Sequence, residues 1–145
     1  MTTHVVESGL GANVSDTFPK IIQQLSEALT NIIDLELAIL IGSRATDTAR
    51  PESDWDIAIQ WSRGKDFVQQ LTATEQLRRI LARGLSVTEQ RVDLIDLPTA
   101  RLTMRAVVAE EGVPLKGGDS VIWHRFLQRT WRELEEQYWE QTYAA

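Results

Sequence analysis

After Ser15 the apolar residues fall at Phe18, Ile21, Ile22, Leu25, Leu29, Ile32 and Ile33. This 3.6-residue period predicts a helix over about 17–33. Ser15 or Asp16 suits its N-cap, and Pro19 its first turn. Leu35 to Ile41 (LELAILI) is short, apolar and stopped by Gly42, and predicts a first strand. Asp54 to Trp61 (DWDIAIQW) predicts a second strand, ending at a Ser62–Gly64 turn. The polar segment between them, SRATDTARPES, suits one short helical turn and a loop. Phe67, Val68, Leu71, Leu77, Ile80, Leu81 and Leu85 place a long helix over Asp66–Leu85, stopped near Gly84. Arg91 to Leu97 (RVDLIDL) reads as a third strand. A helix opens at Thr99 or Ala100 and ends at Gly112, and the short VPLKGG segment follows it. From Asp119 to about Tyr143 the chain predicts a long helix. Its stripe of Trp123, Leu127, Trp131, Leu134 and Tyr138 should pack on the sheet, while Trp139 and Tyr143 fall off it toward a partner. The element order gives a single α/β (α+β) domain over 15–145, with 1–14 as a flexible N-terminal end.

Composition narrows the class. The chain has 145 residues, 43% hydrophobic and 25% charged, which fits one globular domain and no membrane span. It has no cysteine, so disulfides, zinc–thiolate sites and thiol catalysis are excluded. With no basic-then-apolar leader at the start, the expected location is cytoplasmic. The net charge is −6, and its distribution is uneven. Residues 1–60 carry 3 basic and 9 acidic side chains, whereas 61–145 carry 12 of each. Such a chain does not attract a phosphate backbone or anionic lipid by net charge; it suits a bound cation or a basic protein partner. His4 and His124 have no companion at the spacing of a triad or a zinc site.

The chemistry concentrates between Ile41 and Asp56. A strand ends at Gly42, where the chain must turn sharply, and Ser43 opens a short helical turn. Uncapped N–H groups and a hydroxyl at such a turn make a phosphate-binding corner. Ten residues separate Ser43 from Asp54, and Asp56 follows two further on. On a strand these two carboxylates share a face and repel, unless a divalent cation such as Mg²⁺ sits between them. RVDLIDL offers a third acid. Asp93 and Asp96 are three apart and face opposite sides, so only one joins the pair. The third strand is expected beside the second. Three carboxylates and a Gly-Ser corner make a two-metal phosphoryl-transfer site. Arg44 and Arg50, in the loop between the motif halves, are candidates for neutralising phosphate charge.

The pattern G-S-x10-D-x-D, with strands on both sides, resembles the signature of the polymerase-β-like nucleotidyltransferase superfamily, and the sequence is similar to its minimal nucleotidyltransferase (MNT) branch. RVDLIDL resembles that family's third-acid strand, and LPTARLTMRAVVAEEGVPLKG its following helix and hairpin. The resemblance implies a small mixed sheet flanked by helices with a long C-terminal helix. It implies nucleotide phosphates at Gly42 and Ser43, and metal and catalysis at Asp54, Asp56 and Asp93, with Asp96 as the alternative third acid. It further implies Mg²⁺ (two ions), ATP as substrate, and a HEPN-type RNase toxin as partner. The chain would then be the antitoxin of a HEPN/MNT pair, moving AMP from ATP to a tyrosine hydroxyl of the toxin. The alternatives are an antitoxin that only binds and masks the toxin, and a small-molecule nucleotidyltransferase of the aminoglycoside type. The chain's length leaves little room for a separate acceptor-binding domain, so the acceptor is expected to be another folded protein.

Overall fold

In the computed structural model the structure describes residues 14–143, with side chains from 18. The elements run α1 (Val14–Thr30), β1 (Leu35–Ile41), β2 (Trp55–Trp61), α2 (Phe67–Leu85), β3 (Val92–Asp96), α3 (Leu102–Glu111), β4 (Val113–Lys116) and α4 (Val121–Tyr143). Short 3₁₀ turns at Gly42–Arg44, Glu89–Arg91 and Leu97–Thr99 join them. The expected flexible end over 1–14 lies outside the described residues, apart from Val14, which already belongs to α1.

The four strands form one mixed sheet in the order β3-β2-β1-β4. β1 pairs antiparallel with β2 and β4, and β2 pairs parallel with β3, as expected for neighbours in sequence. LELAILI is almost wholly buried because both faces of β1 are covered. On one face Leu35, Ala38, Leu40, Ile57 and Ile59 pack with Leu25 and Leu29 of α1 and Leu77 and Leu81 of α2. On the other, Leu37, Ile39, Ile41 and Ala58 pack with Val108 of α3 and with Trp123 and Phe126 of α4. Fully burying one such side chain contributes about 1.5–3 kcal/mol, so this two-faced core fixes the register of β2 against β1.

Several boundaries differ from the sequence reading, for local reasons. α1 starts at Val14, so Ser15 and Asp16 lie inside the helix instead of capping it, and Pro19 stands beyond the first turn. The helix stops at Thr30; the Ile32 N–H bonds the Leu29 carbonyl in a turn and Ile33 is left exposed. Asp66 and Gln69 close a reciprocal capping box at the start of α2. The helix passes through Gly84 and ends at Ser86, which adopts φ 56°. Its apolar stripe is buried only from Leu77 onward, and Phe67, Val68 and Leu71 face outward. VPLKGG supplies an edge strand, β4. The Ser120 hydroxyl accepts from the Trp123 N–H at 3.1 Å and caps α4.

The stripe expected along α4 is buried at Trp123 but exposed at Trp131 and Tyr138. The packed face is rotated to Trp123, Phe126 and Thr130. On the same helix Glu133 holds Arg105 of α3 in a bidentate pair at 2.8 and 3.1 Å. Among the described residues no helix is long and apolar enough to cross a membrane.

Candidate active site

The sheet brings the motif halves together at one end. β1 delivers Ile41 beside Asp56 in the antiparallel pair, and the parallel pair sets Asp56 beside Asp93. At Gly42 the chain leaves the strand with φ 75°, a left-handed conformation that disfavours residues with a Cβ. A Cβ at this position would stand 2.6 Å from the Asp56 carboxylate oxygen. The glycine is therefore required twice, for the turn and to let Asp56 lie against the backbone. Gly42–Arg44 then forms a single 3₁₀ turn whose N-cap, Ile41, makes no side-chain cap bond. This is the uncapped corner expected at Gly42 and Ser43.

The two acids of RVDLIDL separate as their three-residue spacing requires. Asp93 is exposed, next to Asp56, on the sheet face that carries α3 and α4. Asp96 turns to the opposite face. It accepts from the Gln70 amide of α2 at 3.4 Å and from the Thr99 hydroxyl at 2.8 Å. Burial first, and then the Asp93 and Asp54 carboxylates, push the Asp56 carboxyl above its ordinary range. Asp54, Asp56 and Asp93 thus form one field of negative charge, with Arg91 at its Asp54 edge. Among the described residues no three such side chains are gathered as tightly as ligands around an ion. The donor set is nonetheless all carboxylate oxygen, and the repulsion felt by Asp56 is what a hard divalent cation relieves.

The loop between the motif halves is held by two arginines. Arg44 Nη2 donates to the carbonyls of Pro51 and Ser53 at 3.2 and 2.9 Å, and its guanidinium lies 4.4 Å from the Trp55 ring centre. Nη2 thus serves the loop, while Nε is buried with no hydrogen-bond partner among the described residues. Burial, and then the neighbouring Arg91, lower the Arg44 pKa, while Glu52 opposes them. Arg91 Nη2 donates to the same two carbonyls at 2.8 Å each, and its Nε stands 3.6 Å from Asp54 Oδ1. Arg50 is exposed, and its backbone N–H bonds the Ser53 hydroxyl at 2.9 Å, a turn contact. Arg91 did not stand out in the sequence. The available signal was an arginine at the start of the strand that carries the third acid. Trp55 and Trp61 point away from the acids into the core, as their odd positions require. Two surface cavities of about 550 and 410 Å³ lie at the other end of the sheet, around Asp34 and Lys65; Trp61 lines the smaller, and neither is lined by the acids or arginines of the site.

The fold is similar to a chain of the crystal structure of a toxin–antitoxin with AMP-PNP. That match has a TM-score of 0.62 and 27% identity, and covers 83% of this chain and 92% of that one. A crystal structure of the toxin–antitoxin MntA–HepT matches at 0.57 and 26%, covering 85% and 92%. The structure of a tri-AMPylated Shewanella oneidensis HEPN toxin in complex with MNT antitoxin matches at 0.53 and 26%, covering 86% and 89%. No curated protein sequence matches the chain closely enough to count as a relative. The family pattern described as "Polymerase beta, Nucleotidyltransferase" matches residues 23–120, taking in Gly42, Ser43 and all the acids of the site. That match spans more than half the length and takes in the corner at Gly42 and all four strands of the sheet: the chain belongs to the polymerase beta nucleotidyltransferase family.

Proposed function

We propose that this chain is the antitoxin of a HEPN/MNT pair and a Mg-ATP-dependent adenylyltransferase, moving AMP onto a tyrosine hydroxyl of its RNase toxin. The observation that carries the reading is the convergence at Gly42. The turn that would hold phosphates touches Asp56, and Asp56 stands beside Asp93. The likeness to chains of toxin–antitoxin structures, one with AMP-PNP and one with an AMPylated toxin, supports it.

The residues divide the work. Ser43 and the uncapped start of its turn bind phosphate oxygens of ATP. Asp54, Asp56 and Asp93 would hold Mg²⁺, which when bound supplies charge neutralisation for the triphosphate. The tyrosine oxygen forms a bond to the α-phosphorus as the bridging bond to the β-phosphate breaks. Pyrophosphate leaves with that electron pair. In this reading Asp93, which is exposed beside Asp56, takes the phenolic proton. Asp96 keeps its bonds to Gln70 and Thr99 and takes no part.

The test is intact-mass analysis of the cognate toxin after incubation with the chain, ATP and Mg²⁺. Wild type adds AMP increments and Asp56→Asn adds none; an unmodified toxin from a correctly folded wild-type pair overturns the reading.

A second reading, neutralisation by masking alone, draws on the outer half of α4. There Tyr138, Trp139 and Tyr143 are exposed, with Trp139 and Tyr143 stacked at 4.4 Å. Such aromatics are the residues enriched in interface hot spots. Protection of cells by Asp56→Asn at wild-type level would favour it.

A further inference from the structure

We infer that Arg91 is a positioning residue for nucleotidyl transfer: it sets the backbone that presents Asp54 to the acid field and ties that backbone to the strand bearing Asp93. The inference rests on the proposed nucleotidyltransferase reading.

Arg91 ends the 3₁₀ turn before β3, and Val92 next to it pairs with Trp55. Its side chain is thus anchored two residues before Asp93 and reaches Ser53 and Asp54, three and two residues before Asp56. Nη2 lies 2.8 Å from both the Pro51 and the Ser53 carbonyl. These carbonyls flank Glu52 and lead directly into Asp54, so fixing them fixes the direction in which Asp54 leaves the loop.

The same guanidinium places Nε 3.6 Å from Asp54 Oδ1. That is too long for a hydrogen bond, and Arg91 Nε is buried with no hydrogen-bond partner. The Asp54 side chain is 59% exposed beside it. Arg91 therefore attracts the carboxylate without occupying its lone pairs, which stay free for a ligand.

Arg44 grips the same two carbonyls from the end of β1. The two guanidiniums share these carbonyls despite their like charge; burial first, and then Arg91, lower the Arg44 pKa. A loop that needed only tethering would be served by Arg44 alone. Recruiting a second cation at an electrostatic penalty makes sense where β1, the D-x-D loop and β3 must be held in one geometry. A planar fork with fixed donors does this; a lysine, with a single point charge, does not.

The test uses the full chain with its cognate toxin. Arg91→Gln removes the charge and the fork, and Arg91→Lys keeps only the charge. Arg79→Gln, removing an exposed arginine paired with Glu89, is the control. Three readouts are taken: kcat and KM for AMP transfer, the melting temperature without metal, and the rise in melting temperature on adding Mg²⁺ with a non-hydrolysable ATP analogue. Both Arg91 variants are expected to lose ~10–100-fold in kcat, the range for residues that orient metal ligands. KM for the toxin stays unchanged, and the rise with Mg²⁺ and nucleotide shrinks. Arg79→Gln matches wild type.

Full activity and a full rise in Arg91→Gln, with an active wild type, overturn the inference and leave the proposed function standing. Rescue by Arg91→Lys overturns the fork in favour of charge alone. A wild type with neither transfer nor a rise overturns the proposed function, and this inference with it. If Arg91→Gln melts too low to assay, Arg91→Lys carries the same comparison.

Discussion

Two clusters of charge in this molecule behave in opposite ways. Between α3 and α4, Arg105 and Glu133 meet in a two-bond fork. The hydrogen bond from Arg105 lowers the Glu133 pKa, and the same bond raises that of Arg105. At the end of the sheet, Asp56 lies half-buried among carboxylates, and its pKa is raised. The first cluster stabilises the fold as it stands. In the second, burial and like charge penalise the ionised form of Asp56. The Arg105–Glu133 pair and the Asp56 carboxyl thus differ in the sign of their effect: partners favour the charged forms in the first and disfavour it in the second.

The sharpest way to break the comparison is Asp56→Asn. It should reduce AMP transfer by more than ~100-fold, the upper range seen when even a supporting contact to a metal site is lost. It should also raise the melting temperature of the metal-free protein, because a penalised charge is removed. Loss of activity together with a lower melting temperature would show that the carboxylate supports the fold. Next in size is the contrast on β3. Asp93→Asn should approach the loss seen at Asp56, whereas Asp96→Asn should leave transfer within about threefold, since Asp96 is turned to Gln70 and Thr99. Steady-state kinetics on both variants distinguishes the two strand faces.

Glu133→Gln should act in the reverse sense to Asp56→Asn. The Arg105 side chain is 15% exposed and that of Glu133 is 35% exposed, so solvent weakens the pair. A loss of about 1 kcal/mol is expected in a denaturant titration, with transfer activity unchanged. The smallest effect is in pH. The Glu133 pKa is lowered from 4.5, so its contribution is present above that value and lost as pH falls through the folded-state pKa. The Asp56 pKa is raised from 3.8, so its penalty is present above the folded-state pKa and relieved as pH falls toward 3.8. Metal-free melts across the acid range should therefore show Glu133→Gln flattening a loss and Asp56→Asn flattening a gain.

Most of the fold could be read from the chain because its strongest signals are local. β1 and β2 stand where apolar runs meet Gly42 and the Ser62–Gly64 turn, and the even spacing of Asp54 and Asp56 correctly separates them from Trp55 and Trp61. The spacing of Asp93 and Asp96 required opposite faces, but only the parallel register against β2 shows which one meets Asp56. What stayed hidden depends on contacts between distant segments. No periodicity distinguishes Leu77, which is buried in the core with Leu25 and Leu29 of α1, from Leu71, which stands 53% exposed. The bond between Glu133 and Arg105 links positions 28 apart, and Arg91 reaches back 40 residues to Pro51. Long polar side chains with that reach carry no pattern of their own in a single sequence.

The central claim is that the acid field at Gly42 serves adenylyl transfer to a protein. The most direct measurement is the intact mass of the purified cognate toxin after exposure to this chain, ATP and Mg²⁺, with Asp56→Asn run in parallel. The account predicts AMP increments on a toxin tyrosine with wild type and an unchanged mass with the variant. A wild-type chain that binds and neutralises the toxin while leaving its mass unchanged would contradict it.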